Sequence, residues 1–276
     1  MAQDNHIPPG GWDVSDPVRR AYGSLNRLAA SLGPADTDAG ADAGAGDDAV
    51  VGQESLDFLA MAAGLKPVYL LGRGFGRPEW IEGVRAIARE LKLDAIEGAV
   101  WDAAPPGNAF PDWYRDHTKA ELARQTAHYI TRSAAVADEL RRIEAGAPPT
   151  VAIEARLLGF PECCVAAHYR RALGFHRLRL AMLDRAAGGD AESMARLLRD
   201  GVQIAPANSD ERAALDAATS LIPCPFTSLN MCESCADGAH SPAAALALSY
   251  AELAHAIDPE FARRIAAIDP AAHGLF

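Results

Sequence analysis

The sequence predicts an α/β (α+β) fold, with a small mixed sheet and its helices followed by a cysteine-containing α-helical region. Two observations carry this. Strand-like apolar runs pass twice through a short polar loop with an arginine into a helical pattern, at 68–73 and 129–132. From residue 151 onward the pattern is helical almost without break, punctuated by capping residues.

The elements are read in order as follows. Residues 1–33 hold a Pro8-Pro9-Gly10-Gly11 loop and then an apolar-periodic stretch, 18–32, that predicts one amphipathic helix. Residues 34–49 are almost wholly Ala, Gly and Asp, which bury little, and read as a flexible linker. An α/β unit is expected over 50–150. Its strands are predicted at 67–71, 93–100 and 128–131, and Pro78 opens a helix reaching about residue 91. Thr118 with Glu121 reads as a capping box that starts another helix, and a further helix is expected from Ser133 to about 145.

The region 151–276 is expected to be the helical, metal- or cluster-bearing part. Helices are predicted near 151–158, 161–173, 190–200, 209–220, 242–256 and 259–267. Asn208 with Glu211 forms a capping box, and Ser241-Pro242 and Asp258-Pro259 each pair an N-cap with proline at the first helical position. Leu246, Tyr250, Leu253 and Ile257 share one helical face and read as core.

Composition narrows the function. Hydrophobic residues make up 49% of the 276, enough for a core and against wholesale disorder. The formal net charge of −11 repels phosphate backbones and argues against nucleic acid as a partner. No apolar run reaches the roughly 18–20 residues needed to span a bilayer, and the first residues lack a signal-peptide pattern, so a cytoplasmic protein is expected. Thiols stay reduced there, and clustered cysteines then point to metal or redox chemistry.

All five cysteines lie in the second half, as Cys163-Cys164 and as Cys224, Cys232 and Cys235. Five such thiols, arranged as a vicinal pair plus C-x7-C-x-x-C, do not read as ordinary buried cysteines. The C-x-x-C turn converges two sulfurs, and Cys224 follows Ile222-Pro223 as a third. Gly159-Phe160-Pro161-Glu162 places Cys163 and Cys164 in a helix's first turn, where free N–H groups favour thiolates. Successive helical residues diverge by about 100°. One of the pair, Cys164 in preference, is therefore expected as the fourth ligand, with Cys163 a fifth ligand or a free catalytic thiol. A polynuclear cluster tolerates a vicinal pair, so an iron–sulfur cluster, 4Fe–4S, is expected over zinc. Cys164 and His168 as an i, i+4 pair keep zinc as the alternative.

The nonapeptide 157–165, with Leu158-Gly159-Phe160-Pro161-Glu162-Cys163-Cys164, resembles the signature of an uncharacterised prokaryotic domain family. Its members carry Leu-Gly-Tyr/Phe-Pro-x-Cys-Cys and, downstream, a Pro-Cys and further cysteines. The resemblance covers 128–256 and implies the site without naming a reaction. Cys163, Cys164, Cys232 and Cys235 are more loosely similar to the cysteine-rich domains of heterodisulfide reductase-type proteins. Those hold an iron–sulfur cluster and have Gly where Val165 stands here.

Outside the cysteines, Gly72, Arg73, Gly74 and Gly76 follow a strand and precede a helix, which suits an anion or cofactor contact as well as a plain turn. Trp101, Phe110, Trp113 and Tyr114 read as loop anchors or as a lid. No hydrolase signature is visible. The expected function is an iron–sulfur enzyme acting on a small-molecule substrate in redox or sulfur-transfer chemistry, with an electron-transfer partner. The alternative is a zinc-stabilised binding module.

Overall fold

The structure is a computed structural model that describes residues 14–32, 43–71, 78–99, 101, 109–123, 126–146 and 149–267. Helix α1 (Asp16–Leu32) buries Val18, Ala21 and Leu25 on the face its periodicity marks. The segment read as a linker lies outside the described residues up to 42. From Ala43 it forms the opening turns of α2 (Ala43–Ala63), a helix that Ala-rich sequence tolerates well. The far half of α2 is buried on every side, including Leu56, Phe58, Leu59, Ala60 and Met61. A helix apolar all round has no amphipathic period to detect, which is why no helix was expected there. Gly64, at φ 85°, ends it in the left-handed conformation that suits glycine.

Three strands follow among helices. They are β1 (Val68–Leu71), β2 (Asp94–Ala99) and β3 (Thr126–Thr131), with α3 (Pro78–Glu90) after β1, α4 (Asp112–Ala123) after β2 and α5 (Ala134–Glu144) after β3. The order is β1-β3-β2, and β3 runs antiparallel to both neighbours, with Tyr69 opposite Ile130 and Ile96 opposite Tyr129. β1 and β2 do point the same way across the α3 crossover, but β3 is inserted between them. The sheet is therefore antiparallel throughout rather than mixed, within the expected α+β class.

Alternate residues of the sheet feed two cores. Tyr69, Leu71 and Ile130 join α1, α2 and α3 in the largest one. Val68, Tyr129 and Ile96 face α5 and α6 (Val151–Leu158) in the other. The first core also takes in Tyr250, Leu253, Ala254, Phe261 and Ile265 from α11 (Pro242–Ile257) and α12 (Pro259–Ala266), with Leu246 and Ile257 packed against it. The two ends of the described chain thus share one interior, and Tyr22 donates to the Asp258 carboxylate while its ring meets Phe261.

Two further helices depart from expectation. Thr118 does not cap a helix. α4 has already begun at Asp112, and the Thr118 hydroxyl bonds back to the Tyr114 carbonyl at 3.0 Å, the usual mid-helix alternative for threonine. α7 (Glu162–Ala187) runs through Gly174 and stops at Gly188, whose φ is 61°. An interior glycine costs about 1 kcal/mol. Leu183 of α7 packs with Met194 and Leu198 of α8 (Ala191–Arg199), and this contact, with α9 (Ser209–Thr219) alongside, carries the helix past it.

The aromatic loop residues are anchors. Trp101 stacks on Tyr129 at 4.3 Å and its indole N–H donates to Glu144 at 2.9 Å. Phe110 and Tyr114 are buried beside α7, where the Tyr114 hydroxyl meets His176 Nδ1 at 3.0 Å.

Candidate metal centre

Two segments far apart in sequence converge here. The first is the start of α7. Helix α6 ends at Gly159, whose φ is 72°, and a Cβ there would sit 2.7 Å from Lys66 Cβ. Only glycine allows that approach, and the turn it makes aims Pro161 at the first position before α7. Pro161 offers no side-chain cap, so the helix N-terminus is left to what lies in front of it. The second segment is a small hairpin. Pro223 bridges Asn230, Met231 N–H reaches Ile222 O at 2.6 Å, and Cys224 N–H reaches Leu229 O at 2.9 Å. Its tip includes Phe226 at φ 63°, and its outgoing arm delivers Cys232 as the N-cap of the short helix α10 (Glu233–Ala236), which carries Cys235.

At this junction Cys163, Cys164, Cys232 and Cys235 place their sulfurs within 4.8 Å of one another. Cys163 Sγ lies 3.5 Å from Cys235 Sγ and 4.0 Å from Cys164 Sγ, and Cys164 Sγ lies 3.8 Å from Cys232 Sγ. Four close thiols of this kind can hold a metal ion.

The expected ligand set is corrected in two ways. Both members of the vicinal pair turn to the site. The 100° divergence applies within a helix, but in the first turn each Cβ tilts toward the open N-terminus, and no preceding turn keeps the two sulfurs apart. Cys163 is therefore one of the four rather than a separate thiol. Cys224, in contrast, stands outside the group. It is buried in the same apolar cluster, but its thiol donates to the Ala243 carbonyl at 3.5 Å, fastening the hairpin to α11. His168 is likewise not in the group. Gly72, Arg73, Gly74 and Gly76 lie outside the described residues.

The thiols differ in electrostatics. Burial pushes Cys163 up to about 11, helped by Cys235 and Cys232 and opposed by Cys164. Burial raises Cys164 too, against one backbone N–H from Cys232 at 3.5 Å. Burial also opposes ionisation of Cys232, but the Ser234 hydroxyl, the Cys235 backbone N–H and the neighbouring thiols outweigh it and bring Cys232 down to about 6. Arg171 approaches from α7. One guanidinium nitrogen donates to the Met231 carbonyl at 3.4 Å, and the other is buried without a hydrogen-bond partner among the described residues. It lies within Coulombic reach of Cys164 and Cys232.

Behind the hairpin is a buried polar network that sequence reasoning missed. Asp57 accepts from Lys66 at 3.2 Å, from the Tyr250 hydroxyl at 2.8 Å and from Ser228 at the hairpin tip. Gln53 donates to the Thr227 carbonyl of the same tip, and Tyr69 donates to Glu54 at 2.6 Å. The Lys66 ammonium also sits 4.9 Å from the Phe160 ring centre, just ahead of α7. The Asp57–Lys66 pair thus touches both arms of the metal centre. The available signal was the pair of charges set into the apolar runs Leu56-Asp57-Phe58 and Leu65-Lys66-Pro67.

Fold and site together define a mostly helical α+β protein with a four-cysteine centre capable of holding a metal. No family model, curated protein or solved structure matches the chain. No helix among the described residues is long and apolar enough to cross a membrane.

Proposed function

We propose that the protein is a zinc-stabilised module in which one tetrahedral ion, bound by Cys163, Cys164, Cys232 and Cys235, clamps the start of α7 to the hairpin and α10. The sulfur spacing carries this reading. Zinc–thiolate bonds of about 2.3 Å set the edges of a tetrahedron at about 3.8 Å. Three of the sulfur pairs lie at 3.5, 3.8 and 4.0 Å. A cubane cluster puts a separate iron behind each thiolate and so holds its four sulfurs much further apart. The 4.8 Å limit on every pair supports a single ion over the expected 4Fe–4S cluster. Four protein ligands also close the site, the arrangement of structural zinc.

The ion would join positions 68 and 72 residues apart in the chain, holding two arms that the hairpin and the Asp57 network already bring near each other. Metal and sulfide analysis tests the reading. A colourless protein with one zinc per chain and no acid-labile sulfide is expected, and cobalt substitution should give the visible bands of a tetrahedral thiolate complex. A brown protein with labile sulfide would overturn it in favour of an iron–sulfur cluster.

A further inference from the structure

The four thiols are unequal in a way that goes beyond structural clamping. Cys163 is the least buried of the four, whereas Cys164, Cys232 and Cys235 are buried. The polar donors are just as unevenly placed. Cys232 has the Ser234 hydroxyl at 3.2 Å, and Cys164 has the Cys232 backbone N–H at 3.5 Å. Among the described residues, the hydrogen-bond partners of Cys163 are sulfurs alone, at 3.5 and 4.0 Å. The Arg171 guanidinium, the cation beside the site, acts on Cys164 and Cys232.

Hydrogen bonds and nearby cations withdraw electron density from a metal-bound sulfur and dull it as a nucleophile. A coordinated thiol is deprotonated outright, so four thiolates around one divalent ion leave an excess of two negative charges. That excess is drawn off Cys164 and Cys232 and left on Cys163, the least buried residue of the four. Cys235, likewise without a polar donor among the described residues, is shielded by burial.

We propose that Cys163 in the zinc-loaded protein is an acceptor for small, soft alkyl electrophiles, in particular methyl donors with a good leaving group. This rests on the zinc reading above. The Cys163 sulfur supplies the electron pair for a new S–C bond, the bond from carbon to the leaving group breaks, and the leaving group departs as an anion. No oxidant, reductant or second substrate is required. The thioether formed is neutral, so the excess charge at the centre falls from two to one and the bond to the ion weakens. Each chain reacts once, which suits a stoichiometric acceptor or sensor of alkylating agents and not a turning-over enzyme.

The test uses the full zinc-loaded chain, its zinc counted beforehand, treated with limiting methyl iodide. Intact mass and peptide mapping locate the methyl group, and a chromogenic chelator follows zinc release. One methyl per chain is expected on Cys163, favoured at least about tenfold over any other cysteine, with zinc becoming easier to extract afterwards. Cys163→Ser should abolish the reaction, and stripping the zinc from the wild type should remove the preference for Cys163. Methyl groups spread over the four cysteines, no methylation at all, or equally fast reaction of Cys163 without metal would each overturn the proposal and leave the zinc reading standing. A chain that carries no zinc at the first count would overturn both, before any reagent is added.

Discussion

Replacing Asp57 with alanine tests how far the metal centre depends on what lies behind it. The Asp57 and Lys66 side chains are only 4% and 3% exposed, so the substitution strands an ammonium in the interior. Breaking a buried pair from one side costs about 3–5 kcal/mol, against a total stability of about 5–15 kcal/mol. The Tyr250 and Ser228 hydroxyls lose their acceptor as well. At about 2–4 °C per kcal/mol, the melting temperature should fall by roughly 6–20 °C. Lys66→Met should be damaging for the mirror-image reason, because it strands the carboxylate. The double variant should be less unstable than the sum of the two by about 2 kcal/mol or more, since neither charge is then left alone. Urea unfolding of all four proteins, with metal and after chelation, measures this. Because Ser228 and Phe160 both lean on this pair, Asp57→Ala should also weaken zinc binding by roughly tenfold, the scale seen when residues supporting metal ligands are removed. A cost under about 1 kcal/mol for Asp57→Ala, or simple additivity in the cycle, would refute the reasoning.

Three further outcomes are expected. Serine at Cys164, Cys232 or Cys235 should bring zinc well below one per chain and lower the melting temperature, while Cys224→Ala should keep the full complement; metal counts on the four variants decide it. Burial, reinforced by Asp57, raises Glu54 to about 8, so the folded state holds a proton that the unfolded chain releases near 4.5. Its contribution to stability is therefore fully present below that lower value, fades as pH rises toward 8 and is flat beyond, and Glu54→Gln, which still accepts from Tyr69, should flatten the decline between pH 5 and 8 in a melting series. Gly159→Ala should cost roughly 2–3 kcal/mol in denaturant titrations, from the left-handed backbone and the collision with Lys66, and should loosen zinc through the misplaced start of α7.

Much of the fold could be read ahead of the structure because it depends on local rules. Ser133, Thr150, Asn208, Ser241 and Asp258 all cap the helices they precede, each through a side-chain oxygen. The readings that failed needed non-local information. Thr118 looks like a cap until Pro111 starts the helix earlier. Gly174 looks like a stop until α8 and α9 are seen packed along the same helix. Cys164, Cys232 and Cys235, which the C-x-x-C turn and the helix start mark out, are brought together with Cys163 in the structure. Cys224 was misassigned because spacing cannot say which way a hairpin residue faces, and there the Ala243 carbonyl claims it. The Asp57 network showed only its two charges set in apolar runs, because its partners come from separate elements: α2, the segment before β1, β1 itself, the hairpin and α11.

The shared interior of α1 and α12 also has a consequence in time. Tyr22 and Asp258 are 236 residues apart, and at roughly 5–20 residues per second a ribosome needs about 12–47 s to make the second after the first. Throughout that interval the apolar face of α1, with Val18, Ala21 and Leu25, has only α2, α3 and the sheet to lie against. The nascent chain therefore passes through a long stage with its largest core unfinished. Its dependence on chaperones should be set by the emergence of α11 and α12, and slowing translation just upstream of α11 should lengthen the hazard rather than relieve it.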